Sequence, residues 1–135
     1  MERILITGAN GLLGSYIYKF FKNKKYKVIK FAKNETNLLN KKESNKFFFK
    51  NKFSIILNLA AITNIDQCEK FNKKALSVNT NFLKNIRFYS GLHNKKCYLI
   101  HLSTDQFYSK YKSNFEKQKK SLNFYTKTKL LSEIY

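Results

Sequence analysis

The sequence predicts an α/β fold, a parallel sheet flanked by helices. Three observations lead there. Short apolar runs of strand length alternate with stretches of helical periodicity, which is the pattern of successive βαβ units. A glycine cluster follows the first apolar run, where a strand would turn into a helix. Hydrophobic residues make up 43% of 135 positions, enough for one core and one domain spanning 1–135.

The elements follow in order. Arg3-Ile4-Leu5-Ile6-Thr7 is an apolar run ending at Gly8, as a buried strand would. Leu12, Leu13, Tyr16, Ile17, Phe20 and Phe21 recur at helical spacing, and Asn23-Lys24-Lys25 closes that helix. Lys27 to Phe31 reads as a second strand. Residues 34–40 form a polar loop, and a short lysine-rich helix covers Lys41 to Phe49. Phe53 to Ala61 is the clearest buried strand. Ala75, Val78, Phe82, Ile86 and Tyr89 mark the next helix face, with Gly91 as its terminator. Cys97 to Leu102 is a further strand that runs into Ser103-Thr104-Asp105. A polar loop then leads to a last helix over about Asn123 to Tyr135.

The formal charge of +19 is the loudest compositional feature. Only Arg3 and Arg87 among the 27 cationic residues are arginines, so the forked side chains suited to phosphate readout are scarce. The lysines are spread along a chain that is also rich in Asn, Ile, Phe and Tyr and lacks Pro and Trp. That mixture reads as drift toward A- and T-rich codons, with no specific nucleic-acid partner expected. The charge should still favour non-specific polyanion binding at low salt. No run approaches the roughly 18 to 20 apolar residues of a membrane span. Met1-Glu2-Arg3 leads straight into a strand with no signal-peptide layout, so a cytoplasmic protein without a membrane partner is expected. Cys68, Cys97, His93 and His101 show no metal-ligand spacing, and two free, inert thiols are expected.

Thr7-Gly8-Ala9-Asn10-Gly11-Leu12-Leu13-Gly14 carries the first chemistry. At a strand-to-helix junction such a turn binds the pyrophosphate of a dinucleotide, which makes the sheet Rossmann-like. Gly8 permits the tight turn, Gly11 lets backbone approach the phosphates, and Gly14 allows close helix–strand packing. At the end of the second strand an NAD site usually carries Asp or Glu, but here stands Phe31-Ala32-Lys33-Asn34. Lys33 either meets a 2′-phosphate, favouring NADP over NAD, or is a solvated surface charge.

Tyr125 and Lys129 are four apart on the last helix and share a face. A phenol titrates near about 10, and a nearby ammonium stabilises its anion. The same lysine could hold a nicotinamide ribose. Thr104, just after the preceding strand, could align a carbonyl oxygen. With 9 tyrosines in the chain the spacing alone is weak.

The order of motifs adds what the spacing lacks. The glycine turn is followed by Leu57-Asn58-Leu59-Ala60-Ala61-Ile62-Thr63-Asn64-Ile65-Asp66, Ser103-Thr104-Asp105-Gln106-Phe107-Tyr108, and Leu122-Asn123-Phe124-Tyr125-Thr126-Lys127-Thr128-Lys129-Leu130. Together they resemble the extended short-chain dehydrogenase/reductase family, and within it the dTDP-4-dehydrorhamnose reductases. The resemblance implies that Gly8, Gly11, Leu12 and Leu13 line the pyrophosphate and that Asn37 and Leu38 lie near the adenine. The family usually has Asp in place of Asn37. It further implies that Ala60, Ala61 and Thr63 flank the cofactor, and Asn79 matches a family asparagine that otherwise caps or bridges within the core. Thr104, Tyr125 and Lys129 would be the catalytic trio, with Thr104 and Asp105 near the sugar. His101, Phe107 and Tyr108 are expected as packed core or wall residues.

The activity so implied is NAD(P)H-dependent reduction of a 4-keto nucleotide sugar, with Tyr125 as proton donor. A non-catalytic NAD(P)-binding regulatory module, an inactive fragment, and an epimerase or dehydratase are the alternatives. Family members continue into a C-terminal region that grips the sugar. The chain is therefore expected to be incomplete, with the Cys97–Leu102 strand as a sheet edge and a partner or missing segment completing the pocket.

Overall fold

The computed structural model describes residues 2–31, 36–108 and 115–135. Lys33, the residue expected at a 2′-phosphate, lies outside them. Strands β1 (Arg3–Thr7), β2 (Lys27–Lys30), β3 (Ile55–Asn58) and β4 (Tyr98–His101) form one sheet in the order β2-β1-β3-β4. Every pairing is parallel. Parallel neighbours need crossovers, and helices supply them: α1 (Leu12–Lys22) and α2 (Lys41–Lys50), then α3 (Ile65–Lys70), α4 (Asn72–Leu76) and α5 (Phe82–His93). Helix α6 (Phe124–Ser132) follows β4.

Side-chain alternation sorts the core into two layers. Ile4, Ile6 and Leu57 pack on one face with Ile17 and Phe21 of α1. Leu5 and Ile56 pack on the other with Phe48 of α2 and Phe82 and Ile86 of α5. Helix α1 thus meets the sheet through residues four apart, which explains why its apolar positions recur at that spacing. Strand β4 is an edge, as expected. Register places Tyr98 beside Ile55 and Ile100 beside Leu57, on the α1 face, where they stay 72% and 55% exposed.

Several boundaries differ from expectation. Strand β2 stops at Lys30 and β3 at Asn58, so Ala60 and Ala61 lie in the loop beyond the strand. Apolar character continues past Asn58, but strand pairing does not. Gly91 does not terminate α5, which runs to His93 and closes when the Asn94 N–H donates to the Ser90 carbonyl. An interior glycine costs only about 1 kcal/mol relative to alanine, too little to stop a helix that packs well. Helix α3 was not anticipated. Its signal is Asn64, whose side chain accepts from the Gln67 N–H at 2.8 Å. Asn40 and Asn123 cap α2 and α6 in the same way, so the asparagine-rich composition serves the helix starts.

Between α4 and α5 the helix widens into a π-type turn over Ser77–Asn81. There Thr80 donates to the Thr128 carbonyl at 2.9 Å, and Asn79 Nδ2 donates to Thr128 Oγ1 at 2.9 Å. This turn fastens α6 to the rest of the domain. No described helix is long and apolar enough to cross a membrane.

Candidate active site

The glycine turn is shaped by close backbone contact. Gly8 has φ +67°, in the left-handed region, and a Cβ there would sit 2.8 Å from the Ala60 nitrogen. A Cβ on Gly14 would sit 2.2 Å from the Gly8 carbonyl oxygen. Gly11 is the N-cap of α1, has no side-chain cap to offer, and donates its own N–H to Gly8 O at 3.0 Å. The first turn of α1 carries no acidic residue, so its free N–H groups and positive dipole end suit an anion. Leu12, at 81% exposure, and Leu13 stand at that helix start.

Beside the turn opens a cleft of about 520 Å³. Gly8, Asn10, Gly11, Asn37, Leu38 and Ala60, all assigned to the cofactor from the sequence, are among its lining residues. Phe31, Ile62, Val78 and Phe82 supply apolar walls that sequence reading did not assign. Among its described lining residues, Lys74 is the one charged side chain. Asn37 keeps a local role too, since its Oδ1 accepts from the Leu39 N–H at 3.1 Å. A glycine cradle, a free helix N-terminus and an apolar slot fit the phosphates and the adenosine of a dinucleotide.

Tyr125 and Lys129 lie one turn apart on the buried side of α6, at 6% and 2% exposure. Lys129 Nζ donates to the Leu102 carbonyl at 2.5 Å and lies 3.2 Å from His101 Nε2. That contact ties α6 to the end of β4, two residues before Thr104. The Thr104 hydroxyl accepts from the Gln106 N–H at 3.3 Å, and Asp105 is exposed. Thr7, Asn58 and His101, each the last residue of its strand, stand in one register row at the same C-terminal edge of the sheet. In open α/β sheets that edge is where ligands bind.

The model for the RmlD substrate-binding domain matches residues 1–135. The chain belongs to that family. It is similar to a dTDP-4-dehydrorhamnose reductase of Aggregatibacter actinomycetemcomitans, 34% identical over 119 residues that make up 87% of this chain and 40% of the relative. The spore coat polysaccharide biosynthesis protein SpsK of Bacillus subtilis is 31% identical over 81% of this chain and 38% of its own length. Among solved structures, a dTDP-4-dehydrorhamnose reductase from Clostridium acetobutylicum superposes with a TM-score of 0.88 at 31% identity, covering 98% of this chain and 48% of that one. The Bacillus anthracis reductase, solved in complex with NADP, gives 0.87 at 26% identity over 98% and 48%. The chain thus spans less than half the length of these RmlD-type relatives, and over nearly all of itself it shares their Rossmann-like fold.

Other residues of the family pattern lie outside the lining of the cleft. The sequence allows Asn79 either as a cofactor contact or as a cap or bridge within the core. It is 1% exposed, accepts from the Ile62 N–H at 2.8 Å, and donates to the Ile62 carbonyl and Thr128. It braces the wall of the cleft from behind. Ala61 and Thr63 lie on the loop after β3, outside the lining of the cleft, and Gly14 packs directly against the backbone of the turn. Phe107 is a core residue at 1% exposure. Cys68 and Cys97 are free thiols, and Cys68 is buried beside Tyr125. His101 is more than packing, since both ring nitrogens have polar neighbours. A polar residue closing each of three apolar strands was the signal for it.

Burial shifts this corner's titrations. Burial, then the Lys129 charge, pushes His101 down from 6.5 to about 4. Burial pushes Lys129 down from 10.5 to about 8, against the pull of Glu133. Both depressed values mean that the unfolded chain takes up protons first as pH falls. His101 therefore contributes stability that is complete above pH 6.5 and lost as pH falls through about 4. Lys129 has the opposite standing at neutral pH, because its stabilisation appears only as pH rises from about 8 to 10.5. Urea midpoints at pH 7 and about pH 4.5 should therefore differ clearly, and His101→Gln should flatten that difference. An equal slope in the variant would remove His101 as its source.

Proposed function

We propose that this chain is the nucleotide-binding and catalytic portion of an NAD(P)H-dependent reductase acting on a 4-keto nucleotide sugar, of the dTDP-4-dehydrorhamnose reductase type. The observation that carries this reading is the Lys129–Leu102 bond. It fixes α6, with Tyr125, against the loop that bears Thr104, at the sheet edge shared with the glycine turn.

When bound, the reduced dinucleotide would supply a hydride, one proton with two electrons, to the carbonyl carbon. Gly8, Gly11 and the N–H groups opening α1 hold its pyrophosphate, while Asn37, Leu38 and Ala60 flank the adenosine. Lys74 adds a positive charge to that cleft, which favours the more anionic NADP over NAD. Thr104 donates a hydrogen bond to the substrate carbonyl oxygen, and Tyr125 delivers the proton that converts it to a hydroxyl. Lys129 binds ribose hydroxyls and lowers the cost of the phenolate that Tyr125 leaves behind. Thr104 and Asp105 would lie near the substrate sugar.

The test is a titration of the purified chain with NADPH and NADH at moderate salt. Saturable binding is expected, tighter for NADPH. Gly11→Asp should weaken it at least about tenfold, because a carboxylate would face the pyrophosphate. A folded wild-type chain that binds neither nucleotide would overturn the proposal.

A further inference from the structure

The row of residues at the sheet's C-terminal edge forms a continuous hydrogen-bond chain. Thr7 Oγ1 donates to Asn58 Oδ1 at 2.6 Å and accepts from the Ala60 N–H at 3.3 Å. Asn58 Nδ2 meets His101 Nδ1 at 2.9 Å. His101 Nε2 meets Ser132 Oγ at 2.9 Å, and the Ser132 hydroxyl donates to the Lys129 carbonyl at 2.6 Å. Thr7 and Asn58 are 0% and 1% exposed, so water does not satisfy them.

Counting protons gives the chain a direction. The single hydroxyl proton of Thr7 goes to Asn58 Oδ1, which leaves the Asn58 amide N–H to face the ring. His101 Nδ1 must then accept, and a neutral imidazole that accepts there carries its proton on Nε2. That proton points to Ser132, whose own proton is already given away. Lys129 Nζ, at 3.2 Å, therefore approaches a nitrogen with no lone pair to offer. Its acceptor among the described residues is the Leu102 carbonyl, which takes one of its three protons.

We propose that His101 is a positioning residue. Held by Asn58 as the Nε2–H tautomer, its ring directs the Lys129 ammonium onto Leu102 without accepting from it, and so leaves two ammonium protons for the paired hydroxyls of a ribose. The ribose clause rests on the function proposed above, whereas the tautomer and the Lys129 geometry do not. The charged and titratable groups around the ring are Lys129 of α6, 3.2 Å from Nε2, and Glu133, Arg87 and Tyr135, which line a cavity with the ring. Glu133 is itself engaged by Lys119 and Ser103. With the other tautomer, Nε2 would take a second proton from Lys129 and turn part of its donor capacity inward.

Two measurements test this. Ring-nitrogen NMR on cofactor-free, 15N-histidine-labelled protein should show His101 neutral and protonated on Nε2 from about pH 8 to about pH 5. Asn58→Asp keeps the side-chain shape but puts an acceptor at Nδ1. It should move the ring proton to Nδ1, raise the ring's titration, and weaken NADPH binding about tenfold. His101→Gln in the Asn58→Asp background has no tautomer to switch and should recover most of that affinity. A wild-type ring protonated on Nδ1, or titrating at its ordinary value, overturns the proposal even where a variant fails to fold. So does a switched ring in Asn58→Asp with unchanged NADPH affinity. A wild-type chain with the expected tautomer that binds no NADPH upholds the lock and removes the cofactor reading instead.

Discussion

Gly14→Ala is expected to destabilise the domain by about 3 kcal/mol or more and to abolish nucleotide binding. The added Cβ would lie 2.2 Å from the Gly8 carbonyl oxygen, 2.8 Å from Ala9 Cα and 2.9 Å from the Gly8 carbonyl carbon. All three are backbone atoms, so no side chain can swing aside to make room. Relief requires α1 to withdraw from the turn, which would strip Ile17 and Phe21 from the Ile4–Ile6 layer. It would also carry the helix N-terminus away from the phosphate position. Two other glycines serve as controls for stability. A Cβ on Gly11 meets a single atom at 3.3 Å, and one on Gly91 meets the movable end of Arg87 at 3.1 Å. Gly91→Ala should be neutral or stabilising by up to about 1 kcal/mol, because Gly91 sits in a helix interior and the Arg87 side chain can shift. Thermal unfolding and NADPH titration of the three alanine variants check the ranking. A Gly14→Ala protein that melts like wild type would show that the helix and turn are not in the contact described.

Under the proposed reductase function, Tyr125→Phe is expected to lower kcat by about a thousandfold while leaving NADPH affinity nearly intact. The ring is 6% exposed and packs with Cys68, Ala75, Ile62 and Phe124, and phenylalanine fills the same space. Folding should therefore survive, and the lost hydroxyl is the whole chemical change. Lys129 keeps its place because its acceptor, the Leu102 carbonyl, and the neighbouring His101 ring are untouched. Steady-state reduction of a 4-keto nucleotide sugar and direct cofactor binding separate the two effects. Wild-type turnover by the variant would remove Tyr125 as proton donor and direct attention to Thr104 or a bound water.

The sequence alone was enough for whatever depends on local periodicity and covalent spacing. The alternation of apolar runs set the four strands and their parallel order of crossovers. Gly8, Gly11 and Gly14 announced the turn because their spacing places them at one strand-to-helix junction. Tyr125 and Lys129 announced a shared face because four residues are about one helical turn. Tertiary structure decided everything that depends on register between distant segments. Strand β3 ends at Asn58 because pairing ends there, although Leu59, Ala60 and Ala61 remain apolar. Asn79 could be read as a cofactor contact or as a core bridge, and the π-type turn sets its bonds to Ile62 and Thr128. Thr7, Asn58 and His101 are separated by 51 and 43 residues, and nothing local links them. Parallel pairing brings them into one row, and α6 then closes over it with Lys129. Hydrophobic pattern acts along the chain over one or two turns, whereas a buried hydrogen-bond row exists only once three strands have found a common register.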